Sequence, residues 1–284
     1  MPESANAWKA LDAELCAWAQ AGRTASLWWR DDDAATGSAA LTQLLELTEK
    51  FAAPLALAVV PRRAEASLPQ MIGQAHNITP IVHGYAHINH APRTGKRAEF
   101  GAHRDNAVMR AEVTEGLSLL RDMFGSKLFP VFVPPWNRLD EDLAVHLPRI
   151  GYHGVSAFRP APNRTPVPGL VQTNSHIDAI DWHTGRCLRP ADTVLEELTT
   201  LLRIRRLHPQ IPKGTLVLGK PLPRGFDPQE PTGLLTHHLV QDADGWEFLS
   251  QLLRAIAPHC RPGGGACWLT YAEAFSVEAV ATPV

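Results

Sequence analysis

The chain has 284 residues, 45% of them hydrophobic and 20% charged, with a formal net charge of -2. That apolar content is enough to bury a sizeable core, as one large domain or two small ones. The near-neutral balance argues against a general nucleic-acid surface and against a polybasic membrane patch.

Residues 5–21 carry Trp8, Leu11, Leu15, Trp18 and Ala19 on one side of a helical pattern. Ser26–Asp31 reads as a strand, and Leu41, Leu44, Leu45 and Leu47 then recur at helical spacing up to Phe51. Pro54–Pro61 is a short apolar run closed by prolines, which predicts a buried strand. Residues 64–75 look helical, and Thr79–Gly84 is a strand holding a histidine at its end. A polar loop rich in His, Arg and Gly spans 85–104, before a long helix from Asp105 to Phe124. Leu128–Pro135 is a strand stopped by two prolines, Leu139–Ile150 a helix and His153–Phe158 a strand. A proline-rich loop runs to about residue 169, and Asn174–Trp182 is extended. A helix over 190–207, a strand at Gly233–His238, a helix over 244–257 and a strand at Cys267–Tyr271 complete the set. The short basic run Arg203–Arg206 lies in a helical stretch and reads as a solvated face.

Repeated alternation of apolar strands with helices predicts a parallel sheet covered by helices. With this many repeats the expected architecture is an α/β fold, a distorted (β/α) barrel of about seven parallel strands. No linker forces a second domain, so 1–284 is read as one domain with 1–22 as an N-terminal helix. In such barrels the chemistry gathers at the C-terminal ends of strands. Asp31–Asp33, His83, Pro134–Trp136, Asp181 and His237 all fall at predicted strand ends.

Cys16, Cys187, Cys260 and Cys267 form no C-x-x-C pair, and their spacing fits reduced, mostly buried thiols. The first residues carry acids where a signal peptide needs a basic region, and no run of about 18 apolar residues occurs. The expectation is a cytoplasmic protein with no membrane or nucleic-acid partner.

W-W-R-D-D-D-A-A (28–35) drives an apolar strand into three adjacent negative charges. Adjacent carboxylates repel, so a cation or acid–base chemistry is expected there. His83 and His87 in H-G-Y-A-H-I-N-H can point at one ion, and two imidazoles with one carboxylate leave open positions for water. Such a donor set suits zinc first, with cobalt, nickel or iron as alternatives.

The ordered stretches R-D-D-D-A (30–34), H-G-Y-A-H (83–87), F-V-P-P-W-N (132–137), D-A-I-D-W (178–182) and L-L-T-H-H (234–238) resemble the motifs of NodB-type polysaccharide deacetylases, over roughly residues 26–275. The resemblance implies Asp32 as general base and Asp33, His83 and His87 as metal ligands; the other register of the triplet is Asp31 with Asp32. It implies an oxyanion held in part by the Trp136 backbone N–H. His237 would protonate the leaving amine, and Asp181 would orient that histidine. Asp181 also fits a plain turn or helix cap.

The family usually carries an arginine before the prolines to hold the base, and here that position is Val133. Arg30 or Arg138 could supply the charge. The function implied is a divalent-metal-dependent hydrolase removing an N-acyl or O-acyl group from a small or oligomeric N-acyl sugar. Two alternatives stand beside it. A glycoside hydrolase would need two flanking carboxylates. A catalytically weakened sugar- or metal-binding protein is suggested by Val133.

Overall fold

A computed structural model describes residues 2–276, apart from 74, 213 and 218. In chain order its strands are β1 (Ala25–Ala34), β2 (Leu55–Val59), β3 (Ile78–His83), β4 (Val131–Val133), β5 (Gly154–Val155), β6 (Val171–Gln172), β7 (Ile177–Asp178), β8 (Ile180–Asp181), β9 (Cys187–Leu188), β10 (Leu216–Val217), β11 (Lys220–Pro221), β12 (Thr232–Thr236) and β13 (Ala266–Trp268). The helices are α1 (Pro2–Gln20), α2 (Ala39–Phe51), α3 (Ser67–Ile72), α4 (Asn106–Phe124), α5 (Glu141–Ala144), α6 (Leu147–Ile150), α7 (Ala191–Leu207), α8 (Ala243–Ile256) and α9 (Tyr271–Ala274).

One nine-stranded sheet runs in the order β6-β5-β4-β3-β2-β1-β12-β7, with β13 also pairing β1. Its pairings are parallel throughout. This is the helix-covered parallel distorted barrel expected from the alternation. The strand count exceeds seven in part because β6, two residues long, leaves no apolar run in the sequence. β1 takes three partners, meeting β13 with its first residues and β12 and β2 with later ones. The aspartate triplet at its end is thereby set in the middle of the sheet.

Side-chain alternation divides the core in two. Leu27, Trp29, Leu55, Leu57 and Val59 face the helices and pack with Leu41, Leu44, Val113, Leu117 and Leu253. Trp28, Ala56, Ala58, Ile81, Val131 and Val133 face inward with Phe275. Two alanines on β2 make room in this narrow interior for the Trp28 indole, which meets the Phe275 ring edge-on at 5.5 Å. Both tryptophans are buried, Trp28 inside the barrel and Trp29 under the helices.

Three expectations are corrected. The single helix over 139–150 is two short ones, because Pro148 cannot donate to the preceding turn. Cys187 is exposed rather than buried. The 203–206 run is no solvated face: Arg205 is buried, and Arg206 pairs with the buried carboxylate of Glu14 at 2.6 Å. No helix among the described residues is long and apolar enough to cross a membrane.

Candidate active site

The three aspartates go to three different environments, which is how β1 tolerates them. Asp31 lies on the helix-facing side with Trp29 and is fully buried. It accepts hydrogen bonds from the Thr236 hydroxyl (2.6 Å) and the His238 backbone N–H (3.0 Å), and pairs with His238 Nδ1 at 2.5 Å. Asp32 follows Trp28 and Arg30 on the inner face. Arg30 meets it as a fork, Nε to Oδ1 at 2.9 Å and Nη2 to Oδ2 at 3.0 Å. Asp33 leaves strand geometry at φ 74°, where the β1–β2 register also shifts. This bulge turns its carboxylate into the barrel mouth. Asp31 therefore points away from the mouth, and the register that sets Asp31 beside Asp32 as a site pair does not fit.

His83 ends β3 with its ring buried. Its Nδ1 lies 3.0 Å from the Val133 carbonyl, which can only accept, so Nδ1 carries a proton and Nε2 is left as a donor of electrons. That Nε2 is 3.2 Å from Asp33 Oδ1, and His87 Nε2 is 3.2 Å from the same oxygen. Ligand atoms of the three residues all lie within 4.8 Å of one another.

The group fits a divalent cation. Asp33 Oδ1 is buried without a hydrogen-bond partner among the described residues. Two imidazoles and a carboxylate are the donor set of a catalytic zinc-type centre with positions left open. The electrostatics agree. Burial pushes His83 down, but the charges of Asp32 and Asp33 outweigh it and its pKa rises. Burial pushes Asp33 up, yet the adjoining His83 and the charges of His87 and His237 hold it well below the usual carboxylate range. His87 is pushed down by burial and by the neighbouring His83. The shifts of His83 and Asp33 favour positive charge in the pocket, which a divalent ion supplies, while that of His87 keeps its imidazole neutral and able to bind one.

The turn after β4 closes a second side. Pro134 and Pro135 have no N–H, so Trp136 offers the first free-standing amide after the strand. Trp136 and Asn137 both take left-handed backbone, φ 55° and 56°. The Trp136 ring sits 4.5 Å from that of His87, and the Asn137 side-chain oxygen accepts from Arg30 Nη2 at 3.0 Å. One strained turn thus touches both the ligand group and the group that holds Asp32.

His237 follows β12 and brings Nε2 to 4.0 Å from Asp32 Oδ2. The edge of Trp182 packs on it at 4.6 Å. The expected partner, Asp181, is elsewhere. It is half-buried and accepts from the backbone of His183 (2.9 Å) and Thr184 (3.2 Å) and from the Thr184 hydroxyl (2.7 Å), so it caps the β8–β9 turn. The physical reason is that β8 pairs only with β9, away from the main sheet. Asp178 lies in β7, which does pair with β12, beside Leu235. Its carboxylate holds the Trp182 indole N–H at 2.8 Å and the Ile180 amide at 3.0 Å. Burial pushes Asp178 up, and the charge of His237 pulls it back.

The choice between two arginines is also answered by geometry. Arg138 donates to the backbone carbonyls of Arg97 (2.9 Å) and Trp136 (3.3 Å). Arg30 is fully buried, held by the Ser156 hydroxyl (2.7 Å) and carbonyl (3.1 Å) and the Ala157 carbonyl (3.1 Å), and it is the arginine on Asp32. Lysine cannot reproduce this fork. If Asp32 is the base that the resemblance implies, Arg30→Lys is expected to lower kcat by ~10²-fold with little change in KM, through a misplaced Asp32; steady-state kinetics on an N-acetylated sugar checks it.

Sequence reasoning left Arg30 as one of two choices, placed Asp181 beside the histidine where the structure sets it in the β8–β9 turn, and did not single out Asn137 and Ser156, which hold Arg30. Only Asp178 carried a signal, as the first acid of D-A-I-D-W.

Neither a family model nor a curated relative matches the sequence. Solved structures do share the fold. A Mycobacterium smegmatis protein described as a polysaccharide deacetylase matches at TM-score 0.56 and 15% identity, over 83% of this chain and 75% of its own. A mutant CE4 family pseudoenzyme with restored enzymatic activity matches at TM-score 0.52 and 17% identity, over 89% of this chain and 67% of its own. A peptidoglycan N-acetylglucosamine deacetylase matches at TM-score 0.51 and 14% identity, over 90% and 89%. The chain has the fold of the polysaccharide deacetylases.

Proposed function

We propose that the chain is a divergent NodB-type deacetylase, a divalent-metal-dependent hydrolase that removes an N-acyl or O-acyl group from a carbohydrate-like substrate. The observation that carries this is the convergence of Asp33, His83 and His87, within 4.8 Å of one another, beside an Arg30-held Asp32. The solved structures of the same fold support it, through the deacetylation their descriptions name.

When bound, a zinc-type ion supplies Lewis-acid polarisation of the acyl oxygen and a lowered pKa for water at its open positions. The residues of this chain do the rest. Asp32, oriented by the Arg30 fork, takes the proton from the attacking water. The Trp136 N–H, rigid in its left-handed turn, donates to the oxygen that gains charge at the acyl carbon. His237, across the mouth, delivers a proton to the leaving amine. Asp178, rather than Asp181, is the carboxylate that holds the Trp182 indole packed on His237. Trp182, 40% exposed beside His237, offers a flat face for a sugar ring.

Glycoside hydrolysis fits less well, because Asp32 is tied to a buried guanidinium and Asp33 faces two histidines, so these two carboxylates are not free to flank a glycosidic bond. The weakened-protein reading rested on Val133, and Arg30 fills that gap.

The test is acetate release from N-acetylated glucosamine oligomers with and without chelator, alongside metal analysis of the purified protein. Metal-free protein whose activity ignores chelator would remove the proposal. Within it, His237→Ala is expected to keep its metal and lose ~10²–10⁴-fold in kcat. Undiminished turnover in that variant would mean another group is the acid.

A further inference from the structure

We infer that Glu99 is a positioning residue for the ion site: it shapes the turn joining His83 to His87 so that the two imidazoles converge. The inference rests on the metal-dependent reading above.

The turn is short and strained. β3 ends at His83, and the chain reaches His87 four residues later through Gly84, Tyr85 and Ala86. Gly84 sits at φ 58°, and a Cβ there would lie 2.3 Å from Glu99 Oε2 and 2.5 Å from the Pro135 ring. His87 itself sits at φ 56°, in the left-handed region that costs an L-residue energy.

Glu99 supplies the support. Its carboxylate accepts backbone N–H bonds from Tyr85 (3.2 Å), Ala86 (2.8 Å) and Ile88 (3.3 Å), two residues before the ligand His87 and one after it. The residue is fully buried, so these charge-assisted bonds do not compete with bulk water. Successive amides converging on one anion form a nest, here closed by a side chain from the far end of the 85–104 loop.

Glu99 is itself anchored. Arg104 donates to its carbonyl at 3.1 Å and is locked on Glu112 by two 2.7 Å bonds, while Asp140 N–H bonds the next carbonyl, Phe100, at 2.8 Å. The carboxylate touches neither imidazole. It acts by fixing the backbone that aims His87 at Asp33 before any ion arrives.

Two measurements test this. The first is amide hydrogen exchange on metal-free wild-type protein. Slow exchange at Tyr85, Ala86 and Ile88 is expected; fast exchange that slows only when zinc is added would overturn the inference, because the ion would then be ordering the turn. The second is titration with zinc and cobalt of wild type, His87→Ala, Glu99→Gln and Glu99→Asp, each checked for native circular dichroism. Folded Glu99→Gln or Glu99→Asp is expected to lose ~10–100-fold in zinc affinity and to show an altered cobalt absorption band. Wild-type affinity and band in either folded variant would refute the role. If neither variant folds, the wild-type exchange result decides. Wild type that binds neither metal would instead fail the metal-dependent reading, and the exchange data would still judge Glu99.

Discussion

On the proposed function, His83→Ala is expected to give a folded protein that retains no zinc and shows no chelator-sensitive deacetylation. His83 is the most firmly held of the three ligands, with Nδ1 anchored on the Val133 carbonyl and Nε2 aimed at Asp33. Removing it leaves one imidazole on a strained turn and one carboxylate, too few donors for a first-row ion in a catalytic geometry. The activity loss would be large because a bound ion would make its water far easier to deprotonate, and that activation would go with the metal. Asp33→Asn is expected to fall alongside it, since it keeps the shape but deletes the only anionic ligand. Elemental analysis of the purified variants, read with acetate release, checks both. Wild-type zinc content in His83→Ala would mean that the ion, if any, binds elsewhere.

The barrel was legible because its strands and helices alternate with clean periods, and the helix-facing and inner rows of β1 and β2 follow the period of two. The site was legible in part for the same reason. His83, Trp136 and His237 end predicted strands, and strand ends of a parallel sheet share one mouth. What the pattern could not give was the fate of each aspartate. Alternation sets Asp31 and Asp32 on opposite faces, but only a bulge at φ 74° separates Asp33 from the row that Asp31 occupies. A bulge leaves no mark in composition.

The Asp181 error has a similar origin. Asp178 and Asp181 are the same residue type three positions apart, and which one lies in the main sheet beside the strand that leads to His237 depends on β7 pairing with β12 while β8 pairs with β9. That is a choice of partner, not of propensity. Glu99 was hidden by distance, since a carboxylate in a polar loop resembles any surface acid until the loop folds beneath the turn. Arg30 shows the reverse case. It stands two residues from the acid it holds, in a place where the family pattern offers no reason to look, and strand alternation alone puts both side chains on one face.

The buried ion cluster around Glu230 was also unread, and it carries the largest stability effect expected here. Glu230 precedes β12 and accepts from the amides of Ala161 (3.1 Å) and Asn174 (3.0 Å), from His176 Nε2 (3.2 Å) and from Arg205 (3.3 Å). His176 Nδ1 accepts the Gly233 amide at 2.9 Å, so its proton is on the side facing Glu230. Burial holds His176 below its ordinary value, and it is neutral; the permanent cation is Arg205. Burial raises Glu230, but these partners outweigh it and bring it from 4.5 to about 2. Glu230→Gln strands Arg205 in the core, and such a buried unpaired charge costs ~3–5 kcal/mol. At ~2–4 °C per kcal/mol for a chain of this class, Tm should drop by roughly 10 °C. The pH dependence has a definite sign. A carboxylate depressed in the folded state stabilises fully above its unfolded value and loses that contribution as pH falls through the folded one. The Tm gap between wild type and Glu230→Gln should therefore be widest near neutral pH and shrink between pH 4.5 and about 2, which calorimetry across that range will read. A gap that is small at pH 7, or that widens on acidification, would mean that Arg205 is satisfied without Glu230.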